Sequence, residues 1–209
     1  RLSLELERPV ILFTQHSVST EFEQSVEQVV PSLRAMQALA GEGIQVILTY
    51  PNNDAGGRSI VEELESLAKR DLVNIQLHRS LGRYLYHGVL ALAQNMENKV
   101  ACVGNSSSGL KETPAFACPT VNIGSRQSGR LRGENVLDVD YSSDEIIKAT
   151  QRCLFDEQFR VLCRKADNPY YLGGAGPKVA DILAEVSLNQ ALIRKKMTIK
   201  GEIQNGWCR

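Results

Sequence analysis

Short apolar runs rich in β-branched residues recur along most of the chain and alternate with segments of helical period. The apolar runs span residues 9–13, 44–49, 73–77, 99–103, 119–123 and 136–139. Helical period is found over residues 21–39, 58–68, 81–94, 109–116 and 143–154. Because the apolar runs are continuous rather than alternating, they predict strands buried on both faces, as in a parallel sheet. The alternation of strands and helices predicts right-handed βαβ units and a doubly wound, Rossmann-like α/β domain.

The pattern changes after residue 155, where only helical period remains. Residues 167–176 interrupt that period with one proline, two tyrosines and three glycines, and a helix is predicted from about 177 to 193. We therefore expect one domain over residues 1–194, which includes this last helix, and a tail over residues 195–209. Because the chain begins with arginine and a strand follows almost at once, we expect a fragment or a processed piece of a longer protein.

Composition and charge narrow the class of protein. The 209 residues are 43% hydrophobic and 23% charged with a formal net charge of zero, which is ordinary for a globular domain with a buried core. A neutral chain argues against nucleic acid or an anionic membrane surface as a partner. No apolar run approaches the ~20 residues that a membrane-spanning helix needs. A soluble cytoplasmic protein is expected.

Five cysteines are scattered through the chain without a CxxC pair: Cys102, Cys118, Cys153, Cys163 and Cys208. An odd number without metal-ligand spacing predicts structural thiols in a reducing compartment and no metal site.

Polar and basic side chains follow five of the predicted strands where each strand ends. They lie at residues 15–16, 52–54, 78, 105–108 and 126–130. Because ligands of doubly wound sheets bind outside the carboxyl ends of the strands, we expect these side chains to converge on one rim.

The junction after the fourth strand carries the strongest single signal. The apolar run stops at Gly104, and three serines at 106–108 precede a predicted helix that carries Glu112. Free backbone N–H groups, the positive end of a helix and neighbouring hydroxyls together favour an anion. A phosphate is the expected ligand.

Each of these residues also has a purely structural explanation. Serines cap helices, and asparagines and aspartates favour turns for local reasons. Glu112 is consistent with a dipole partner in the first helical turn. His16 and His78 are consistent with loop histidines, and His87 with a position on a helix surface. Because an unperturbed histidine titrates near neutrality, proton transfer is the functional alternative for His16. The shared rim favours ligand binding.

Five segments carry a resemblance to a known family: YPNNDAGG (50–57), VGNSSSGLKETPAF (103–116), PTVNIGSRQSGR (119–130), GENVLDV (133–139) and NPYYLGGAG (168–176). Together they resemble the UDP-N-acetylglucosamine 2-epimerase family, most closely its hydrolysing branch, which serves sialic-acid-type sugar synthesis. The resemblance implies the carboxyl-terminal, UDP-holding half of a GT-B architecture, in which two Rossmann-like domains enclose the sugar nucleotide. The amino-terminal domain, which supplies acidic catalytic residues in that family, is absent from this sequence.

The resemblance also implies roles for single residues. Ser106 and Ser107 would hold the diphosphate, Glu112 would hold the ribose, and Arg126 would neutralise phosphate charge as UDP leaves. No metal or other cofactor is implied.

Three further positions match the family in the same way. Asn52 and His78 correspond to nucleotide-contacting positions, and His16 to a histidine of the catalytic site. The chain has Ser17 where the family has a proline after that histidine. Because proline fixes φ, its loss is expected to loosen the local turn.

The implied reaction is loss of UDP across C1–C2 of UDP-N-acetylglucosamine or a related acetamido sugar. Water then adds to a glycal-like intermediate to yield the 2-epimer, for example N-acetylmannosamine. The expected partners are the UDP-sugar, the UDP product and the absent amino-terminal domain, and a homo-oligomer is compatible with them. By itself the fragment is expected to bind UDP weakly and to be inactive. Two alternatives are the nucleotide domain of a GT-B glycosyltransferase and a non-catalytic module that senses UDP-sugars.

Overall fold

Six strands, each parallel to its neighbours, form the central sheet in the order β3-β2-β1-β4-β5-β6. They are β1 (Val10–Thr14), β2 (Gln45–Thr49), β3 (Ile75–His78), β4 (Val100–Gly104), β5 (Thr120–Ile123) and β6 (Val136–Val139). This computed structural model describes residues 2–70, 72–193, 203–204 and 207–208. Within those residues, no helix is long and apolar enough to cross a lipid bilayer. The predicted doubly wound parallel sheet is confirmed.

The chain divides into two compact units, residues 1–170 and residues 171–209. The first holds the sheet with α1 (Ser25–Gly41), α2 (Gly57–Ala68), α3 (Gly82–Ala91), α4 (Ser108–Lys111), α5 (Ser143–Phe155) and α6 (Glu157–Lys165). The second holds α7 (Ala175–Glu185), α8 (Gln190–Ile193) and the antiparallel pair β7 (Ile203–Gln204) and β8 (Trp207–Cys208). The sequence analysis placed the last helix in one domain with the sheet, whereas α7 and α8 belong to the second unit. Most of the tail expected over residues 195–209 lies outside the described residues.

Both faces of the sheet are buried, which explains the continuous apolar runs. Along β1, Ile11 and Phe13 point into a core with α1, α2 and α5, whereas Val10 and Leu12 pack with α3 on the other face. Alternate residues of a strand point to opposite faces, so a strand covered on both sides needs apolar residues at every position.

Four cysteines belong to this interior. Cys102, Cys118, Cys153 and Cys163 are buried and free, which confirms the prediction of structural thiols for these residues. The side chain of Cys208 lies outside the described part.

Two predicted helices are shorter than expected. The segment 109–116 forms only the single turn of α4, followed by a 3₁₀ turn at Thr113–Phe116. Pro114 lacks the N–H that would continue α-helical bonding, and this ends the helix. The predicted helix over 177–193 is divided into α7 and α8, because the Asn189 side chain accepts a hydrogen bond from the N–H of Leu192 and starts a new helix.

The strand order reverses between β1 and β4, and the two backbones come very close there. Gly104 has a φ of +133°, and a Cβ at this position would overlap the carbonyl oxygen of Thr14. The amide of the next residue, Asn105, donates to that oxygen at 3.1 Å. Only glycine permits this approach.

Gly104→Ala is therefore expected to destabilise the first unit. Backbone strain at this φ, together with the overlap, is expected to lower the free energy of unfolding by about 3 kcal/mol. Urea unfolding followed by circular dichroism measures the change. The matched control is Gly88→Ala in α3, where a Cβ meets nothing within 4 Å, and a gain of about 0.5–1 kcal/mol is expected. An alanine at 104 as stable as glycine would contradict the assignment.

Candidate active site at the switch point

A cleft of about 420 Å³ opens where the strand order reverses, the position at which ligands bind to sheets of this type. Its walls come from the ends of β1, β2 and β4, from the loop after β3 and from one face of α3. The lining includes Thr14, His16, Thr49, Tyr50, Arg79, Tyr86, His87, Ser106, Ser108 and Glu112. A neighbouring hollow of about 490 Å³ is lined by residues 50–58 and Arg79. Three predicted site residues, His16, Ser106 and Glu112, therefore lie in one cleft.

The His16 ring is held by the backbone of the neighbouring loop. Its Nδ1 accepts a hydrogen bond from the N–H of Asn52 at 2.9 Å. Burial, reinforced by the nearby Arg126 guanidinium, lowers the pKa of His16 to about 4. The imidazole is therefore neutral at physiological pH, and because Nδ1 is the acceptor, Nε2 carries the hydrogen. His16 is thus a neutral donor, and its tautomer is set by Asn52.

Asn105 connects three strand ends. Its side chain is fully buried and pairs with the backbone of His16, accepting from the N–H at 2.7 Å and donating to the carbonyl oxygen at 2.8 Å. The backbone carbonyl oxygen of Asn105 accepts from the Gln127 side chain at 2.7 Å and from Arg126 Nη1 at 3.2 Å. The loops after β1, β4 and β5 are therefore fixed against each other by one residue.

Arg126 adds a positive charge at the border of the cleft, whose lining itself contains Arg79 and Arg83. It lies on the 3₁₀ turn Ser125–Gln127 after β5, and its Nη2 is 3.8 Å from Asp54 Oδ2. Partial burial lowers the pKa of its guanidinium, and Asp54 opposes that change. Arginine nevertheless stays charged in proteins. Asp54 also accepts a hydrogen bond from the Asn52 side chain at 2.5 Å, which links the loop after β2 to this cation.

The serine cluster presents hydroxyls and unpaired amides. Ser106 lines the cleft, whereas Ser107 is half-buried at the start of α4 and does not line it. Within the described residues, the backbone N–H groups of Ser106 and Ser107 have no hydrogen-bond partner. Because α4 is a single turn, its dipole is much weaker than the sequence suggested. Hydroxyls and free amides remain as anion donors.

His87 differs from its expected position on a helix surface. Its Nε2 lies 2.8 Å from Glu112 Oε2, and its ring centroid is 5.2 Å from that of Phe116. The sequence missed this pair because its members lie 25 positions apart on different elements. Within the described residues, the other carboxylate oxygen of Glu112 makes no hydrogen bond, so it is free to accept from a ligand.

His78 is not part of the cleft. Its Nε2 lies 3.3 Å from Gln76 Oε1 on the same strand, and the next residue, Arg79, lines the cleft instead. Since side chains alternate along a strand, a shift of one position moves a side chain to the other face.

Sequence reasoning also missed Arg79 and Tyr86. Arg79 directly follows β3, so the rule that selected the other strand-end residues would have included it. Tyr86 shares a helix face with Arg83 and His87, at the spacing of three to four residues that places side chains on one side.

Among the residues that the structure describes, no three His, Cys, Asp or Glu side chains are grouped closely enough to hold a metal ion.

The strand order and the polar cleft at its switch point define a Rossmann-like α/β domain. A model of the UDP-N-acetylglucosamine 2-epimerase family matches residues 2–184. A GDP/UDP-N,N'-diacetylbacillosamine 2-epimerase (hydrolyzing) from Campylobacter jejuni is 31% identical over 137 residues, which are 66% of this chain and 34% of that relative. A UDP-N,N'-diacetylbacillosamine 2-epimerase (hydrolyzing) from Legionella pneumophila is 28% identical over 195 residues, 93% of this chain and 48% of that relative.

Solved structures share the fold. A Staphylococcus aureus MnaA–UDP co-structure superposes with a TM-score of 0.61 at 16% identity, covering 85% of this chain and 44% of that one. A crystal structure of UDP-N-acetylglucosamine 2-epimerase gives a TM-score of 0.59 at 17% identity, covering 94% and 47%.

The chain belongs to the UDP-N-acetylglucosamine 2-epimerase family, because the family model covers most of its length. It spans less than half of the length of the two curated relatives, 34% and 48%. The family and the Rossmann-like fold, both predicted from the sequence, are confirmed.

The low pKa of His16 gives a pH prediction. An unfolded histidine titrates near pH 6.5, so between pH 6.5 and 4 the unfolded chain binds a proton that the folded chain does not. The free energy of unfolding is expected to fall through this window as the pH drops, by up to ~3 kcal/mol. Urea unfolding at pH 7, 5.5 and 4 measures it. His16→Gln keeps a neutral polar side chain and is expected to flatten this part of the profile. An NMR titration of His16 near pH 6.5 would argue against the assignment.

Proposed function

We propose that this chain is the UDP-binding domain of a hydrolysing 2-epimerase that acts on UDP-N-acetylglucosamine or a related UDP-acetamido sugar. The observation that carries the proposal is the convergence of a neutral histidine donor, serine hydroxyls with free amides, and the half-buried Arg126 near the switch point of the sheet. Membership of the family supports the UDP-sugar, and two relatives whose names specify hydrolysis support the reaction type.

The diphosphate is proposed to lie between the loops after β4 and β5. The Ser106 hydroxyl and the free amides of Ser106 and Ser107 would donate to its oxygens, and Arg126 would balance its charge. Charge-assisted hydrogen bonds of this kind are the strongest available to a nucleotide. Asn52 would contact the nucleotide from the loop after β2. The resemblance also implies a nucleotide contact for His78. The His78 side chain does not line this cleft, so we propose that contact from the resemblance alone.

The ribose is proposed to bind Glu112. The Oε2 atom of this carboxylate is held at 2.8 Å from His87, and its other oxygen is free to accept ribose hydroxyls. His87 would thereby fix the direction in which the carboxylate faces.

The proposed reaction has two steps. In the first, the C1–O bond breaks and its electron pair leaves with UDP, while C2 loses its proton and a C1–C2 double bond forms. In the second, water supplies a hydroxyl to C1 and a proton to C2 on the opposite face, which gives the free 2-epimer. UDP departs only if its growing negative charge is stabilised, and preorganised donors in a partly dry cleft do this well.

His16 is the proposed catalytic residue of this chain. The sequence suggested a group that moves protons at the sugar ring, and the tautomer favours a narrower role. Because Nδ1 accepts from Asn52, the hydrogen on Nε2 is available to the departing diphosphate oxygen. Acidic residues of a second domain, implied by the family resemblance, would handle the proton at C2, so this chain alone is expected to bind UDP without turnover.

Arg126→Ala tests the phosphate site. Loss of a charged donor is expected to weaken UDP binding by ~10- to 100-fold, with little change for uridine, which has no phosphate. Isothermal titration calorimetry with both ligands measures the difference. Arg164→Ala on the exposed surface of α6 is the control, with no change expected for either ligand. Equal losses for UDP and uridine would reject the phosphate role.

The reaction is tested with the whole protein and UDP-N-acetylglucosamine. Free UDP and the 2-epimer are expected without any acceptor, as followed by ³¹P and ¹H NMR. In deuterated water, deuterium is expected at C2, because the hydration step takes that proton from solvent. UDP release that depends on an added acceptor would support a glycosyltransferase instead. Binding without UDP release would support a sensing module.

A further inference from the structure

Three hydroxyl groups next to the proposed diphosphate site are hydrogen-bonded in series. The Tyr86 hydroxyl lies 2.6 Å from Ser108 Oγ, and Ser108 Oγ donates to Ser106 Oγ at 3.1 Å. Tyr86 projects from α3, Ser108 is the first residue of α4, and Ser106 belongs to the loop between β4 and α4. All three residues line the cleft.

The direction of each hydrogen bond follows from counting protons. A serine hydroxyl has one hydrogen, and that of Ser108 is given to Ser106. Tyr86 must therefore donate to Ser108. Ser106 Oγ also accepts weakly from the N–H of Ser108 at 3.4 Å, so both of its contacts within the described residues bring a hydrogen toward it.

The Ser106 hydroxyl is consequently left with its own hydrogen unused. Because two donors occupy the acceptor side of its oxygen, this hydrogen is directed away from them and is available to a ligand in the cleft that Ser106 lines. Hydrogen bonds in a chain polarise one another, so the last hydroxyl becomes a better donor than an isolated serine. Such a donor suits an anionic oxygen.

We propose that Tyr86 is a positioning residue that acts through Ser108 to orient the Ser106 hydroxyl as a hydrogen-bond donor to a phosphate oxygen of the bound nucleotide diphosphate. This inference rests on the proposed function. Tyr86 itself does not touch the phosphate. Its side chain lines the cleft, whereas its hydroxyl bonds Ser108 and lies 3.9 Å from Cys102 Sγ, so the contributions of ring and hydroxyl are separable by removing one oxygen atom.

Tyr86→Phe removes that oxygen and keeps the ring. UDP affinity is expected to fall by ~5-fold, the effect of one hydrogen bond, while uridine affinity is unchanged. The same substitution in a Ser106→Ala background is expected to have no further effect on UDP affinity, since the Ser106 hydroxyl through which Tyr86 acts is then absent. Tyr84→Phe is the matched control on the same helix, because Tyr84 is 89% exposed. Calorimetry with UDP and uridine measures all four variants against the unchanged chain.

Each outcome decides the matter. If the unchanged chain binds UDP no better than uridine, the proposed function fails and this inference fails with it. If the unchanged chain prefers UDP but Tyr86→Phe binds it equally well, only this inference is overturned. Equal losses for UDP and uridine, or a loss that persists in the Ser106→Ala background, would show a structural role and also overturn it. Should Tyr86→Phe fail to fold, Ser108→Ala removes the hydroxyl that connects Tyr86 with Ser106, and the same losses of UDP affinity are expected.

Discussion

The pairing of β1 with β4 is the constraint on which the rest of this structure depends. The two strands run side by side in register, and their ends meet where Gly104 lets the backbone approach Thr14. The next residue, Asn105, then bonds both backbone groups of His16 and accepts from Arg126. His16, the proposed catalytic group, and Arg126, the proposed phosphate ligand, are thus both held by Asn105 at the point where β1 pairs with β4.

The charges around the cleft fit the proposed anionic ligand, because Arg79 and Arg83 line it together with the carboxylate of Glu112. The chain is neutral overall, and burial with the nearby guanidinium holds the pKa of His16 near 4, so that residue adds no charge. Arg126 faces Asp54 at 3.8 Å, a loose contact that the proposed diphosphate would replace. Neutral donors in a partly buried cleft bind phosphate with a smaller desolvation penalty than a cluster of charged side chains.

Much of the candidate site follows from a rule about strand ends, and its failures have a common cause. The rule brings His16 and Ser106 into one cleft, and Asn52 and Arg126 to its border through contacts with His16 and Asn105. Glu112 in the same cleft was instead indicated by the family resemblance. It misses His87 and Tyr86, which lie on a helix rather than at a strand end. It places His78 in the site although the side chain bonds Gln76. Strand-end position tells where the backbone arrives and not which way a side chain faces.

The sequence by itself determined the sheet, the order of its elements, the buried thiols and the family, because these depend on local hydrophobic period and on contiguous motifs. Only the tertiary structure decided the chemistry of single groups. The His16 tautomer depends on a backbone amide 36 positions away, and the hydrogen bonds between the Asn105 side chain and the His16 backbone join residues 89 positions apart. Hydrogen-bond direction and burial are set by residues distant in the sequence that meet only in the folded sheet, so no local pattern encodes them.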